Sequence, residues 1–253
     1  MAKLLRIKDY LRLGLALGHD LVNEFYQPTQ LDLMARRETY GWVPAHYQPR
    51  SRFKAIQRLL AAGEIERIIK NGKPYFRLTG KGSKTLKRDF LIFKLRERKW
   101  DENWTVVFFD IPEKKRSIRE QLVQKLKSLG FGQIQRSVYL SPFDLGSDLA
   151  DFISFKKMAA WVFVARVGEL FAGDKREIAA KVWPLTKINR LYQALLNDWQ
   201  KRSELDNQKK RVLERKIKSR YLEILAQDPC LPDELLPDDW RGDEVRQILK
   251  EKE

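Results

Sequence analysis

Residues 104–142, "WTVVFFDIPEKKRSIREQLVQKLKSLGFGQIQRSVYLSP", decide how this chain is read. The run from Trp104 to Phe109 is apolar and rich in β-branched and aromatic residues, the pattern of a buried strand. Beyond Pro112 a helix is expected, with Ile118, Leu122, Leu126 and Leu129 on one face and Gly130 as its stop. "FGQIQRSVYLSP" reads as a strand pair or one bent strand, "FDLGSDLADFISFKK" as a second helix and "AAWVFVARV" as a last strand. The order β-α-β-β-α-β is that of a ferredoxin-like fold.

Asp110 closes the first strand and has two readings. It is either a catalytic, metal-binding carboxylate or a turn or helix-capping residue next to Pro112. Mg²⁺ needs several oxygen ligands, usually one or two carboxylates together with phosphate. Only Glu113 stands close by in sequence, and an acid in a first helical turn is favourable without any metal. The structural reading is therefore taken, with no catalytic residue, no metal ligand and no cofactor. Asp110 with Mg²⁺ is the nuclease alternative. Lys114, Lys115 and Arg116 follow as a solvated basic face, with contact to DNA or a partner as the alternative.

A chain of 253 residues fits two or three domains, and 43% apolar residues are enough to build them. The net charge of +16 points to a polyanionic partner. Residues 1–99 hold 22 Lys/Arg against 9 Asp/Glu, whereas residues 100–253 hold 28 against 25, so the polyanion contact belongs to the first hundred residues. A single cysteine, Cys230, excludes an intrachain disulfide and a cysteine-built zinc site, and two histidines leave little for histidine-based catalysis. No apolar run is long enough to span a bilayer, and Arg12 interrupts the apolar start. A cytoplasmic protein without membrane contact is expected.

The N-terminal segment opens with Leu4, Ile7, Leu11 and Leu15 at helical spacing, followed by a second helical stretch, "PTQLDLMARRETY". A third helix is expected from about Pro49, with a stripe of Phe53, Ile56, Leu59 and Leu60 ending at Gly63. Its other face carries Arg50, Ser51, Arg52, Lys54, Gln57 and Arg58, residues that reach phosphates and base edges. "EIERIIK" and "KPYFRL" then form a hairpin around Asn71-Gly72. Helix and hairpin together read as a winged helix-turn-helix, with Lys70, Asn71 and Lys73 at the wing tip on the DNA backbone or minor groove.

"TGKGSKTLKRDFLIFKLRERK" reads as a glycine-containing exit and a basic connector. The expected organisation is a winged-helix DNA-binding domain at 1–90, a linker at 91–103, the ferredoxin-like domain at 104–168 and a helical domain at 169–253. In the last, apolar residues recur at Leu191, Leu195, Trp199 and again at Leu213, Ile217, Tyr221, Leu225. Trp183, Trp199 and Trp240 are expected in the core, a ligand pocket being the alternative.

The stretch 104–142 resembles the central domain of the PaaX family of bacterial repressors. "YLEILAQDPCLPDELLPDDWRGDEV" resembles that family's C-terminal signature, through its spacing of Asp-Pro, Leu-Pro, Leu-Leu-Pro and Trp-x-Gly. The resemblance implies a dimeric transcriptional regulator that binds double-stranded DNA, with an acyl-CoA-like or other small-molecule effector that no residue here identifies. The central stretch also resembles the small CRISPR-associated nucleases of spacer acquisition, through Asp110 and the Ser137–Tyr139 strand. That likeness implies a dimer with two such aspartates around a divalent metal. A shared fold does not carry shared chemistry. A non-catalytic scaffold that binds nucleic acid without sequence preference is the remaining alternative.

Overall fold

The structure, a computed structural model, describes residues 5–16, 21–22, 42–44, 46–70, 73–90, 99–168 and 173–250. It is a mixed α+β protein in which two antiparallel sheets and a set of helices form two compact units. One unit takes the described parts of residues 1–90, 188–228 and 240–253; the other takes those of 91–187 and 229–239. The units thus do not follow chain order.

In the first unit, α1 (Ile7–Ala16) precedes the short strand β1 (Leu21–Val22). α2 (Pro49–Ala61), β2 (Ile65–Lys70), β3 (Lys73–Leu78) and α3 (Gly80–Asp89) follow. The expected helix at "PTQLDLMARRETY" lies outside the described residues. The sheet order is β1-β3-β2, and the hairpin register runs from Ile65↔Leu78 to Lys70↔Lys73.

Arg12, the residue that breaks the apolar start, is a buried hub. Its Nε donates to Glu64 Oε2 at 2.6 Å and its Nη1 to Asp89 Oδ2 at 3.3 Å, joining α1 to the turn after α2 and to the end of α3. The glycine-containing exit is itself helical. Thr79 caps α3 by accepting from Gly82 N at 3.1 Å, and a Cβ on Gly82 would stand 2.0 Å from Glu64 O, so only glycine lets the helix lie this close.

α7 (Leu185–Lys201), α8 (Asn207–Leu225) and α9 (Gly242–Lys250) supply the rest of this unit, apart from residues 185–187. Three residues of the C-terminal signature converge on Tyr192 of α7. Its hydroxyl donates to Asp228 Oδ2 at 2.7 Å, Trp240 meets its ring edge-on at 5.6 Å, and a Cβ on Gly242 would come within 3.1 Å of it. The Trp-x-Gly spacing seats the indole and then brings the start of α9 against the same tyrosine.

The second unit holds β4 (Trp104–Phe109), α4 (Arg116–Ser128), β5 (Gly132–Gln135), β6 (Val138–Ser141), α5 (Gly146–Phe155), β7 (Val162–Val167) and α6 (Lys175–Val182). Its sheet order is β5-β6-β4-β7, antiparallel throughout. Val107 and Phe109 face the core with Leu122 and Leu126 of α4 and Leu149 and Ile153 of α5, as strand and helix periods require. Burying Leu126 completely is worth about 2–5 kcal/mol against alanine.

On the opposite face, Trp183 stacks on Trp104 at 6.3 Å, and a Cβ on Gly132 would stand 1.9 Å from Val182, so the end of α6 lies directly on β5. Leu231, Leu235 and Leu236 are buried, and Arg176 holds the acidic segment through Glu234 O and Asp238.

Candidate nucleic-acid interface

α2 has two faces set by its 3.6-residue period. Arg52, Ala55, Ile56 and Leu59 are buried, while Arg50, Ser51, Lys54, Gln57 and Arg58 are exposed together on the other side. Phe53 is exposed rather than part of the apolar stripe. Pro49 opens the helix with its fixed φ, and Arg58 lies in the last turn, where a cation is favourable. The outward face therefore holds five of the six residues expected on the helix, carried by an element with a buried anchor.

Arg52 differs from its neighbours. It is only 4% exposed, and its Nη2 donates to Pro44 O at 3.4 Å. The guanidinium thus holds the Trp42–Pro44 segment against α2 instead of pointing outward. The signal for this was in the sequence: 52, 55, 56 and 59 share one helical face, and a stripe centred on Phe53 misplaces it. Lys70 and Lys73 pair across the end of the β2–β3 hairpin, and Asn71 lies outside the described residues.

Asp110 is exposed at the end of β4, where its backbone N–H donates to Trp161 O at 3.0 Å. It does not cap the helix. A 3₁₀ turn, Glu113–Lys115, with Pro112 ahead of it intervenes before α4, and neither start has a side-chain cap. Glu113 is engaged by Arg119 in a two-pronged pair at 2.7 and 3.2 Å, and these hydrogen bonds hold its carboxyl below the usual glutamate range. Among the described residues no three His, Cys, Asp or Glu side chains gather so as to hold a metal ion. Within one chain, Glu113 is thus committed to Arg119.

The basic cluster after Asp110 is partly committed as well. Lys115 lies 4.0 Å over the Trp161 ring and Arg116 pairs with Glu120 at 2.9 Å. Each of the three tryptophans named for a pocket packs on a neighbour of its own: Trp183 on Trp104, Trp240 on Tyr192, and Trp199 under the guanidinium of Arg202 at 3.6 Å. No described helix is long and apolar enough to cross a membrane.

Comparison with known proteins adds three findings. Residues 97–179 match the family described as the PaaX protein central Cas2-like domain, and residues 183–253 match the PaaX-like protein C-terminal domain. The transcriptional repressor PaaX of Escherichia coli strain K12 is 23% identical over 208 residues, 77% of this chain; the match spans 65% of the repressor's own length. An uncharacterized protein from Mycobacterium tuberculosis shares the fold with a TM-score of 0.56 at 21% identity, over 96% of this chain and 90% of that one.

Proposed function

Since the chain belongs to the PaaX family, we propose that it is a sequence-specific regulator of transcription that binds double-stranded DNA as a homodimer and represses. The observation that carries this reading is the exposed face of α2, where Arg50, Ser51, Lys54, Gln57 and Arg58 stand together on a helix anchored by its other side.

A winged-helix arrangement is supported by the order helix, short strand, helix α2, hairpin, and by a sheet in which β1 joins the hairpin through β3. In that arrangement α2 enters the major groove and the Lys70–Lys73 tip follows the backbone. A ferredoxin-like arrangement of the second unit is supported by its element order and by the sheet order β5-β6-β4-β7. The effector in this reading is a small molecule, acyl-CoA-like by family resemblance, and the protein itself is not an enzyme.

Within the outward set, Arg50, Lys54 and Arg58 supply phosphate and guanine contacts, and Gln57 suits adenine. The joint variant Lys54→Ala/Arg58→Ala is expected to weaken binding to a selected site at least tenfold and to lessen its salt dependence. Fluorescence anisotropy across a salt series measures both. Unchanged affinity and slope would remove α2 from the interface.

A further inference from the structure

The alternation of the β2–β3 hairpin puts Ile65, Arg67 and Ile69 on one face with their register partners Leu78, Phe76 and Pro74. At the base of this face Ile65 and Phe76 are buried in the core. Two rungs further out the core has ended, and Ile69 is 80% exposed. A rise of about 3.3 Å per residue carries it roughly 13 Å beyond Ile65.

The rungs around Ile69 are built against one kind of partner and for another. Among the described residues β1 meets β3 at Tyr75 and Phe76, and no strand continues beside the outer rungs. Pro74 at the next rung offers no N–H to a further strand, which closes this edge to pairing with a second chain. Lys70 and Lys73 stand directly opposite each other in register at the last rung. Like charges so placed are unfavourable in the free protein, and a polyanion relieves them.

A β-branched side chain is stiff at χ1, so Ile69 is a fixed apolar projection next to a cationic rung. Apolar side chains of this kind, isoleucine among them, enter the minor groove and part a base step while neighbouring cations hold the phosphates. Phe155 is as exposed as Ile69, but Lys156 lies 5.6 Å from its ring. It also lies outside residues 1–99, whose 22 Lys/Arg against 9 Asp/Glu carry most of the charge excess. Ile69 is the exposed apolar residue that stands in the basic part of the chain and on an element reaching beyond the core.

We propose that Ile69 is a wedge that seats in the DNA minor groove and bends the duplex, with the Lys70–Lys73 rung on the phosphates beside it. Selectivity at that step comes from deformability: a pyrimidine–purine step, the most easily unstacked, is favoured under the hairpin tip. The proposal rests on the DNA-binding reading of α2.

The test uses the full chain on its selected duplex, end-labelled with donor and acceptor dyes, so that energy transfer reads bending and titration across salt reads affinity. Wild type, Ile69→Ala, Ile69→Leu and Lys54→Ala/Arg58→Ala are compared. Wild type is expected to bend the duplex. Ile69→Ala is expected to bind roughly tenfold more weakly and to leave the duplex straighter, with the salt slope unchanged because no charge is lost. Its Tm should stay close to that of the wild type, since the side chain is exposed. Ile69→Leu, another apolar wedge, should keep affinity and bend. An Ile69→Ala variant with wild-type affinity and bend, beside an α2 variant that has lost binding, overturns the proposal and leaves the α2 reading standing. A wild type that binds without bending overturns it too, as does a changed oligomeric state of Ile69→Ala in sedimentation, which would set Ile69 against a second copy. Absence of duplex binding by the wild type removes both readings.

Discussion

Arg52 sits in the most basic stretch of the helix that presents the candidate interface, yet its guanidinium is spent inside the protein, on Pro44 O. The distinction matters for how variants are read. Arg52→Ala removes a buried charged donor and its packing, and is expected to destabilise the fold by about 2 kcal/mol, seen as a lower Tm, with reduced DNA affinity following from the altered placement of α2. A variant of unchanged Tm and lost binding would instead make Arg52 a direct contact. The basic face as a whole was legible because helical period and charge are local signals. Arg52's inward turn was less so, since its acceptor lies in a segment with no periodic pattern. Asp110 was legible as a strand end, but its exposure and the separate 3₁₀ turn were not, because a proline two residues on fits a cap and a free corner equally well.

Among the elements, α1 shows how a residue that looks out of place in sequence is explained by tertiary partners. Arg12 holds Glu64 and Asp89 from a buried position. Arg12→Ala would take the cation from the partly buried Glu64 and one of the cations from Asp89, and a loss of about 3–5 kcal/mol is expected in denaturant unfolding. A loss below about 1 kcal/mol would mean that these acids rehydrate freely. The tie from α1 to α8 has a pH signature. Burial first, then the hydrogen bond to Glu223, pushes the Tyr10 hydroxyl above the ordinary tyrosine range. A raised folded-state pKa gives a contribution that is complete below the unfolded value of about 10 and is lost as pH rises toward the folded one. Wild type is therefore expected to be more stable than Tyr10→Phe by about 1 kcal/mol near neutrality, with the gap narrowing above pH ~10. Tm measured from pH 8 to 11 checks this; a constant gap would show that Tyr10 does not titrate differently on folding. The β-α-β-β-α-β order of the second unit could be read from alternation and turns, whereas the helical start of α3 was hidden by glycines that serve close packing against Glu64 O.

For the whole molecule, the sequence shows which segments exist but not which of them pack together. Composition divides the chain in order, while the compact units interleave it, because Tyr10–Glu223 and Arg215–Val43 join residues some 170 or more positions apart. No local pattern announces such pairs. The C-terminal signature was recognisable as a motif, and the convergence of Asp228, Trp240 and Gly242 on Tyr192 gives it a packing reason. In the regulator reading, this assembly presents α2 to a particular DNA sequence and binds it without cutting. Selection of the purified full chain against random duplex DNA, with Mg²⁺ present and the recovered strands examined for breaks, tests it most directly. Intact strands enriched for one pseudo-palindromic site are expected, with the same site recovered by Asp110→Ala. Cleaved strands with no enriched site, and loss of cleavage in Asp110→Ala, would contradict it.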